Sequence, residues 1–251
     1  MAESLEQAWE LNQKGRNNII IGGNLWLKMG RRNIINAIDL SSLGLDKIEE
    51  DEGGFRIGCM ATLHDIETHE GLNKEFQNLF KEAVRHIVGV QFRNCATIGG
   101  SIFPKLGFSD VLTAFLACDT QVILYKKGEV PLREFIYIPT DNDILTHLYV
   151  KKDGRKTAYE SFRMTETDFP TITCAMAKTQ DGFETVLGAR PKHAEVVVDE
   201  VVADAFSSEE VADYAKRVIG KLQYGSNIRG SEQYRKQLSK VLIGRCISRL
   251  T

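Results

Sequence analysis

The sequence predicts an α+β protein of two domains joined near residue 151. Three observations carry that reading. Short β-branched and apolar runs recur from Asn18 to Val198, and apolar residues at helical spacing mark five other segments. The charged turn Lys151-Lys152-Asp153-Gly154-Arg155 separates a mixed first part, 1–150, from a second, 151–251, that opens on a hairpin pattern and closes on two helices.

In chain order, Leu5, Ala8 and Trp9 form the first helical face, and Ser4 with Gln7 gives it a capping-box start. Asn18-Ile19-Ile20-Ile21 is a continuous run of the kind a buried strand uses, and it stops at Gly22-Gly23-Asn24. Ile34–Ile38 and Phe55–Cys59 read as further short strands, the second after a Gly53-Gly54 turn signal, and acidic Asp46–Glu52 reads as a surface turn between them. Phe76, Leu79, Phe80, Ala83, Val84 and Ile87 predict one helix with a wide apolar stripe. Val111–Cys118 predicts a second, apolar nearly throughout and therefore buried, with Ser109 or Asp110 at its cap.

Gln121–Tyr125 predicts a strand, Glu129–Pro139 with its two prolines a connection, and Ile144–Val150 another strand. Thr171–Lys178 and Phe183–Ala189 around Asp181-Gly182 predict a hairpin, followed by a strand at Val196-Val197-Val198. One terminal helix carries Val211, Tyr214, Ala215, Val218, Ile219 and Leu222 behind a capping box of Ser207 and Glu210. The other starts at Ser231 and presents Tyr234, Leu238, Val241, Leu242 and Leu250.

Composition narrows the function classes. The 251 residues are 43% hydrophobic, and 32 basic against 34 acidic side chains leave a formal charge of −2, which gives no footprint for a polyanion such as nucleic acid. No run of about 18 uncharged apolar residues offers a membrane span. Met1–Trp9 has no basic region ahead of an apolar run, so the expectation is a cytoplasmic protein without a secretory leader. Cys59, Cys95, Cys118, Cys174 and Cys246 are odd in number and widely spaced, which argues against a disulfide framework or a local zinc or iron–sulfur site. His64, His69, His86, His147 and His193 show no helical zinc spacing, so no metal is expected and any redox work needs a borrowed cofactor.

The informative features are two glycine pairs, Ile19-Ile20-Ile21-Gly22-Gly23-Asn24-Leu25-Trp26 and Arg93-Asn94-Cys95-Ala96-Thr97-Ile98-Gly99-Gly100-Ser101. Glycine lets backbone N–H groups approach a ligand closely, and successive N–H groups make an anion-binding nest. Two such bends suit the two phosphates of a dinucleotide, with Asn24, Thr97 and Ser101 adding short polar side chains; the alternative is a tight turn after each strand. No Gly-Lys-Ser/Thr follows either pair and no G-x-G-x-x-G opens a helix, so neither a P-loop nor a dinucleotide-binding fingerprint is present.

These strings, followed by Ser109-Asp110, then Leu116-Ala117-Cys118-Asp119 and Pro131-Leu132-Arg133-Glu134-Phe135, resemble the FAD-binding subunit of the molybdenum hydroxylases, as in bacterial xanthine dehydrogenases and the medium subunit of carbon monoxide dehydrogenase. Gly230-Ser231-Glu232-Gln233-Tyr234-Arg235 through Val241-Leu242-Ile243-Gly244-Arg245 is similar to the family's C-terminal helix.

The resemblance implies a two-lobed, vanillyl-alcohol-oxidase-like (PCMH-type) FAD-binding domain, with lobes at about 1–53 and 54–150, and a small α+β C-terminal domain at 151–251. It implies FAD held by Ile19, Ile20, Ile21, Gly22, Gly23, Asn24, Leu25 and Trp26 and by Thr97, Ile98, Gly99, Gly100 and Ser101 around the diphosphate. Ser109 and Asp110 stand at the cofactor's polar chain, whose hydroxyls a carboxylate accepts. Arg163 matches a basic residue near the flavin ring, with a strand-end arginine as the alternative. Ile87 and Leu145 match apolar positions against the cofactor, or plain core, and Phe169 and Tyr159 are candidates for covering the ring.

The resemblance further implies electron transfer from a small [2Fe-2S] subunit to NAD+ or another acceptor, in a complex whose large subunit binds molybdopterin. Asn24 where the family has Thr, Ser101 where it has Asn, a missing opening strand, and the altered Phe103–Phe108 segment depart from the pattern. They leave open a scaffold of the same fold that has lost FAD.

Overall fold

The computed structural model describes residues 1–201 and 205–251. Helix α1 (Leu5–Gln13) starts where Ser4 accepts the Gln7 amide, but the Gln7 side-chain oxygen accepts from the Glu3 amide, one residue before the cap, so the capping box does not close. Strands β1 (Asn18–Ile21) and β2 (Asn36–Asp39) pair in parallel, Asn18 opposite Asn36. The second strand begins two residues later than its sequence suggests, because Ile35 bonds back to the Asn17 carbonyl and stays exposed. Ala2 donates to the Asp39 carbonyl, so the residues ahead of α1 run beside the end of β2.

The next unit is an antiparallel sheet in the order β3-β4-β7-β5-β6 with seven α-helical segments threaded through it. Its first strands are β3 (Ile48–Glu50) and β4 (Gly54–Gly58), so the expected turn at 46–52 contains a short edge strand. Then come α2 (Leu63–Thr68), α3 (Glu70–Glu75), α4 (Leu79–Val84), α5 (Val90–Arg93), α6 (Ile98–Ile102) and α7 (Asp110–Leu116). Strand β5 (Thr120–Leu124) is followed by β6 (Gly128–Pro131) and α8 (Leu132–Phe135), which replace the expected connection, and β7 (Leu145–Lys151) closes the sheet.

The single helix expected over 76–87 is broken, because Gln77 and Asn78 take positive φ between α3 and α4. Asn73 dictates the break. Its buried amide donates to the carbonyls of Ile66, Glu67 and His69, and its side-chain oxygen takes the Lys81 amide. The apolar stripe survives the break, with Phe76, Leu79, Phe80, Ala83 and Val84 all buried.

Beyond the charged turn lies a second antiparallel sheet, ordered β11-β10-β9-β8, from β8 (Lys156–Phe162), β9 (Ile172–Thr179), β10 (Gly182–Gly188) and β11 (Glu195–Asp199). The Asp181-Gly182 hairpin forms as its sequence predicts; β8 carries too many polar residues to announce itself. Helices α9 (Ser208–Gly220), with its capping box, and α10 (Glu232–Leu250) cover one face of this sheet. The other face joins the first core through Tyr159, Ala175, Val186 and Ala194. The buried face of α10 differs from the expected one: Leu242, Ile243, Cys246, Ile247 and Leu250 point inward with Arg235 and Ser239, whereas Val241 and Tyr234 are exposed. Arg235 turns the helix this way by donating to the carbonyls of Thr171 and Ala189, a buried role that apolar periodicity does not reveal.

Among the described residues no helix is long and apolar enough to cross a membrane.

Candidate functional site

The two diglycine segments meet. A Cβ on Gly22 would stand 2.2 Å from the Thr97 hydroxyl, and one on Gly23 would stand 1.6 Å from the Cys95 carbonyl oxygen. Only glycine permits that approach. The bend after β1 therefore lies directly on the segment that leads into α6, and Asn24 completes it in the left-handed region at φ 56°.

The second pair is not a loop. Thr97 is the N-cap of α6, and Gly99-Gly100 sit in that helix's first turn. Their amides are already used: Ile98 donates to Ala61, Gly99 to Cys59, Gly100 to the Thr97 hydroxyl and Ser101 to the Thr97 carbonyl. Ser101 also returns its hydroxyl to the Thr97 carbonyl. This corrects the expectation of two equivalent anion nests. Gly99 is required because a Cβ there would meet Cys59 at 2.9 Å, so its function is close packing on the end of β4. By contrast, the amides of Gly22 and Gly23 donate to no acceptor among the described residues. The first bend supplies the N–H groups, and the Cys95–Thr97 segment supplies the wall behind them.

Arg93 fixes that wall. Its Nε and Nη2 bind both carboxylate oxygens of Glu67 on α2 at 2.8 and 3.1 Å, and Nη1 donates to the Ile87 carbonyl. Burial works to raise the Glu67 carboxyl, but the hydrogen bonds from Arg93 and then His64 hold it below the ordinary range. Val88, beside the anchored carbonyl, is a β-branched residue at φ 52°. Such a conformation costs about 1–3 kcal/mol and persists only where neighbours hold it.

Next to the bend, Trp26 touches Phe108 and Phe169, with ring centroids 5.4 and 5.8 Å away, and those two rings lie 4.4 Å apart. Phe169 leads into a charged cluster. Asp110, buried at the start of α7, accepts from the Tyr159 hydroxyl and from Arg163 Nη2 on the same oxygen. Ser109, not Asp110, caps the helix by accepting from the Leu112 amide, so the Asp110 carboxylate is released from that duty.

Arg163 also donates through Nη1 to the Asp168 carbonyl, while Arg229 donates through Nη2 to the Asp168 carboxylate and lies over the Phe169 ring at 4.9 Å. Among the described residues the buried side-chain nitrogens without a partner are Arg163 Nε and Arg229 Nε. An unpaired buried donor costs about 1–3 kcal/mol, so two of them, on arginines that share Asp168, call for acceptors that the described residues do not supply.

The electrostatics follow the burial. Burial raises the Asp110 carboxyl above the ordinary range even though Arg163 and Tyr159 oppose it. Burial, and then the adjacent Asp110, pushes Tyr159 well up, so it stays a neutral donor. Arg163 is held charged by Asp110 despite its own burial.

The structure thus brings together Gly22, Gly23, Asn24, Trp26 and Thr97 at the crevice, and Asp110 and Arg163 at the cluster. Other expected residues are placed differently. Ile98 and Leu145 are core, and Tyr159 is buried beneath Asp110, so it covers no ring; Ile19, Ile20 and Ile21 back the bend from β1, half-buried. Leu25 and Ile87 are likewise half-buried. The sequence pattern does not reveal Asp168, Arg229 or the pairing of Glu67 with Arg93, and it marks Phe108 only as part of the altered 103–108 segment. Phe108 directly precedes Ser109-Asp110, and Asn227-Ile228-Arg229-Gly230 directly precedes the Ser231 cap, which are the signals that mark them.

Residues 1–150 match the family model described as the FAD binding domain in molybdopterin dehydrogenase. The glyceraldehyde dehydrogenase medium chain of Sulfolobus acidocaldarius is 26% identical over 263 residues, covering 96% of this chain and 93% of its own. Two solved structures share the fold across 99% of this chain. One is carbon monoxide dehydrogenase from Hydrogenophaga pseudoflava, lacking the Mo-pyranopterin moiety of its molybdenum cofactor, at a TM-score of 0.87, 21% identity and 95% of that chain. The other is quinoline 2-oxidoreductase from Pseudomonas putida 86, at 0.88, 18% and 94%.

Proposed function

The chain belongs to the family of FAD binding domains in molybdopterin dehydrogenases, an oxidoreductase subunit with FAD as its cofactor, and from that premise we propose that it is the flavin subunit of a xanthine dehydrogenase-like molybdenum hydroxylase. In this reading a small [2Fe-2S] subunit delivers electrons, a large molybdopterin-binding subunit hydroxylates the substrate, and NAD+ or another acceptor receives the electrons. A reducing compartment, the cytoplasm, suits the five free thiols.

The fold is read as two vanillyl-alcohol-oxidase-like lobes, 1–53 and 54–150, with β3 handed across to the second lobe's sheet, and a C-terminal domain at 151–251. When bound, FAD supplies reversible one- and two-electron chemistry. The residues present fit it. The unused amides of Gly22 and Gly23 suit a diphosphate. The Asp110 carboxylate suits sugar-alcohol hydroxyls, and the unmatched arginine Nε donors suit an acceptor-rich ring.

Ile19 to Trp26 and Thr97 to Ser101 form the diphosphate end of the proposed site. Gly99 and Ile98 act there through packing, and Ile87 and Leu145 act as support rather than as contacts. Ser109 and Asp110 follow along the polar chain. Arg163 holds positive charge at the ring, where it favours the reduced cofactor. Trp26, Phe108 and Phe169 supply an aromatic surface beside it.

The observation that carries the reading is the contact of Gly22 and Gly23 with Thr97 and Cys95, at a bend whose two glycine amides donate to no acceptor among the described residues. Purified full-length chain is expected to be yellow, to release FAD on denaturation, and to quench the fluorescence of added FAD after stripping. A folded, colourless chain that leaves FAD fluorescence unchanged overturns the redox assignment and leaves a scaffold of the same fold.

A further inference from the structure

Arg229 lies outside the segment that matches the family model, in the C-terminal part of the chain. Its loop is built to hold it still. Asn227 and Gly230 exchange backbone hydrogen bonds at 3.1 Å, and the Asn227 side chain accepts both the Arg229 amide and Arg235. Arg235, 1% exposed, ties the start of α10 to the Thr171 and Ala189 carbonyls and reaches back to Gly230. The Arg229 guanidinium is then held by Asp168 and by the Phe169 ring, with Nε buried and without a partner among the described residues. Arg163 repeats the pattern on the same Asp168, with its terminal nitrogens bonded and its Nε free.

We propose that Arg229 is a second cation of the cofactor site, supplied by the C-terminal domain: its Nε donates to FAD, and its charge, offset by Asp168, sets how strongly the site prefers reduced over oxidised cofactor. The proposal rests on the FAD reading above. Arginine suits the position because its planar, permanently charged fork stacks on Phe169 and bonds Asp168 while keeping one N–H in reserve. Docking of α10 is thereby coupled to cofactor affinity, which gives a structural reason for the Gly230–Arg235 pattern: Arg235 positions the loop and Arg229 makes the contact.

The test is a reductive dye titration and an FAD affinity measurement on the full-length wild-type chain and on Arg229→Gln, Arg229→Lys and Asp168→Asn. Arg229→Gln is expected to bind FAD about tenfold more weakly and to lower the two-electron potential by about 30 mV for each tenfold loss of preference for the reduced form. Arg229→Lys, which keeps the charge, restores most of the potential but not the affinity. Asp168→Asn removes a negative charge and moves the potential the opposite way. Opposite signs for Arg229→Gln and Asp168→Asn establish an electrostatic role that loosened folding cannot imitate. Wild-type affinity and potential in a folded Arg229→Gln, or shifts of one sign in both variants, overturn the proposal. A wild-type chain that takes up no FAD sinks the parent reading instead.

Discussion

The glycine crevice and the arginine cluster do adjoining tasks by opposite physics. At Gly22 and Gly23 the structure works by exclusion: the backbone lies where side-chain atoms would overlap Thr97 and Cys95. At Asp110, Arg163, Asp168 and Arg229 it works by attraction among buried or half-buried charges. Exclusion is steep, because a single methyl group breaks it. Attraction is graded, because each member retains other partners when one is removed. Substitutions in the crevice and its supports should therefore act through folding stability and cofactor affinity, whereas those in the cluster should also shift potentials and pH profiles.

The largest effect is expected behind the crevice. Arg93→Met leaves Glu67, 13% exposed, without its bidentate partner and frees the Ile87 carbonyl beside strained Val88. Breaking a buried pair from one side costs about 3–5 kcal/mol. For a chain of this size that lowers the melting temperature by roughly 6–20 °C, at about 2–4 °C per kcal/mol. Removing Glu67 as well should recover part of the loss, because the uncompensated charge goes with it. Thermal unfolding of the single and double variants measures both, and a single variant that melts within a degree or so of wild type would make the pair a surface ornament.

Gly23→Ala comes next. The added carbon must displace the Cys95 carbonyl, and overpacking of this kind costs about 1–3 kcal/mol, which corresponds to about 5- to 150-fold in FAD affinity if the bend carries the cofactor. Gly220→Ala is the control. Nothing lies within 4 Å of its Cβ position at the end of α9, and alanine there should be neutral or stabilise by up to about 1 kcal/mol. Equal FAD affinity in the two variants would separate the crevice from cofactor binding.

The same contrast explains what was legible in the sequence. Elements whose signal is local came through: the α1 start at Ser4, β1, the α7 cap, the Asp181-Gly182 hairpin and the α9 capping box. The glycine pairs were legible as special, but not in kind. Gly99-Gly100 looks like Gly22-Gly23 along the chain, and only the pairing of 96–99 with 59–63 and the Thr97 cap show its amides to be spent. The break after Phe76 was hidden because Asn73 makes it through long-range bonds. Apolar periodicity does not give the face of α10, because a buried arginine sets it. A family resemblance points to Asp110 and Arg163 singly; only the fold unites them and sets Arg229 beside them.

The smallest effect separates two carboxylates within the cluster. The hydrogen bond from Arg229, then the Phe169 amide, holds Asp168 below the ordinary carboxylate range. As pH falls, the unfolded chain takes up that proton first, so the stability Asp168 provides is complete above about pH 4 and lost below it. Asp110 has the opposite sign. Burial raises it, the folded chain holds its proton longer, and its contribution falls as pH rises from the unfolded value toward the folded one. Melting temperatures from pH 7 down to about pH 3 should therefore decline less steeply in Asp168→Asn than in wild type, and more steeply in Asp110→Asn. The Asp168 effect is modest because the side chain is partly exposed and screened by salt. Superimposable pH profiles for the two variants would mean that the cluster's charges are not distributed as their burial dictates.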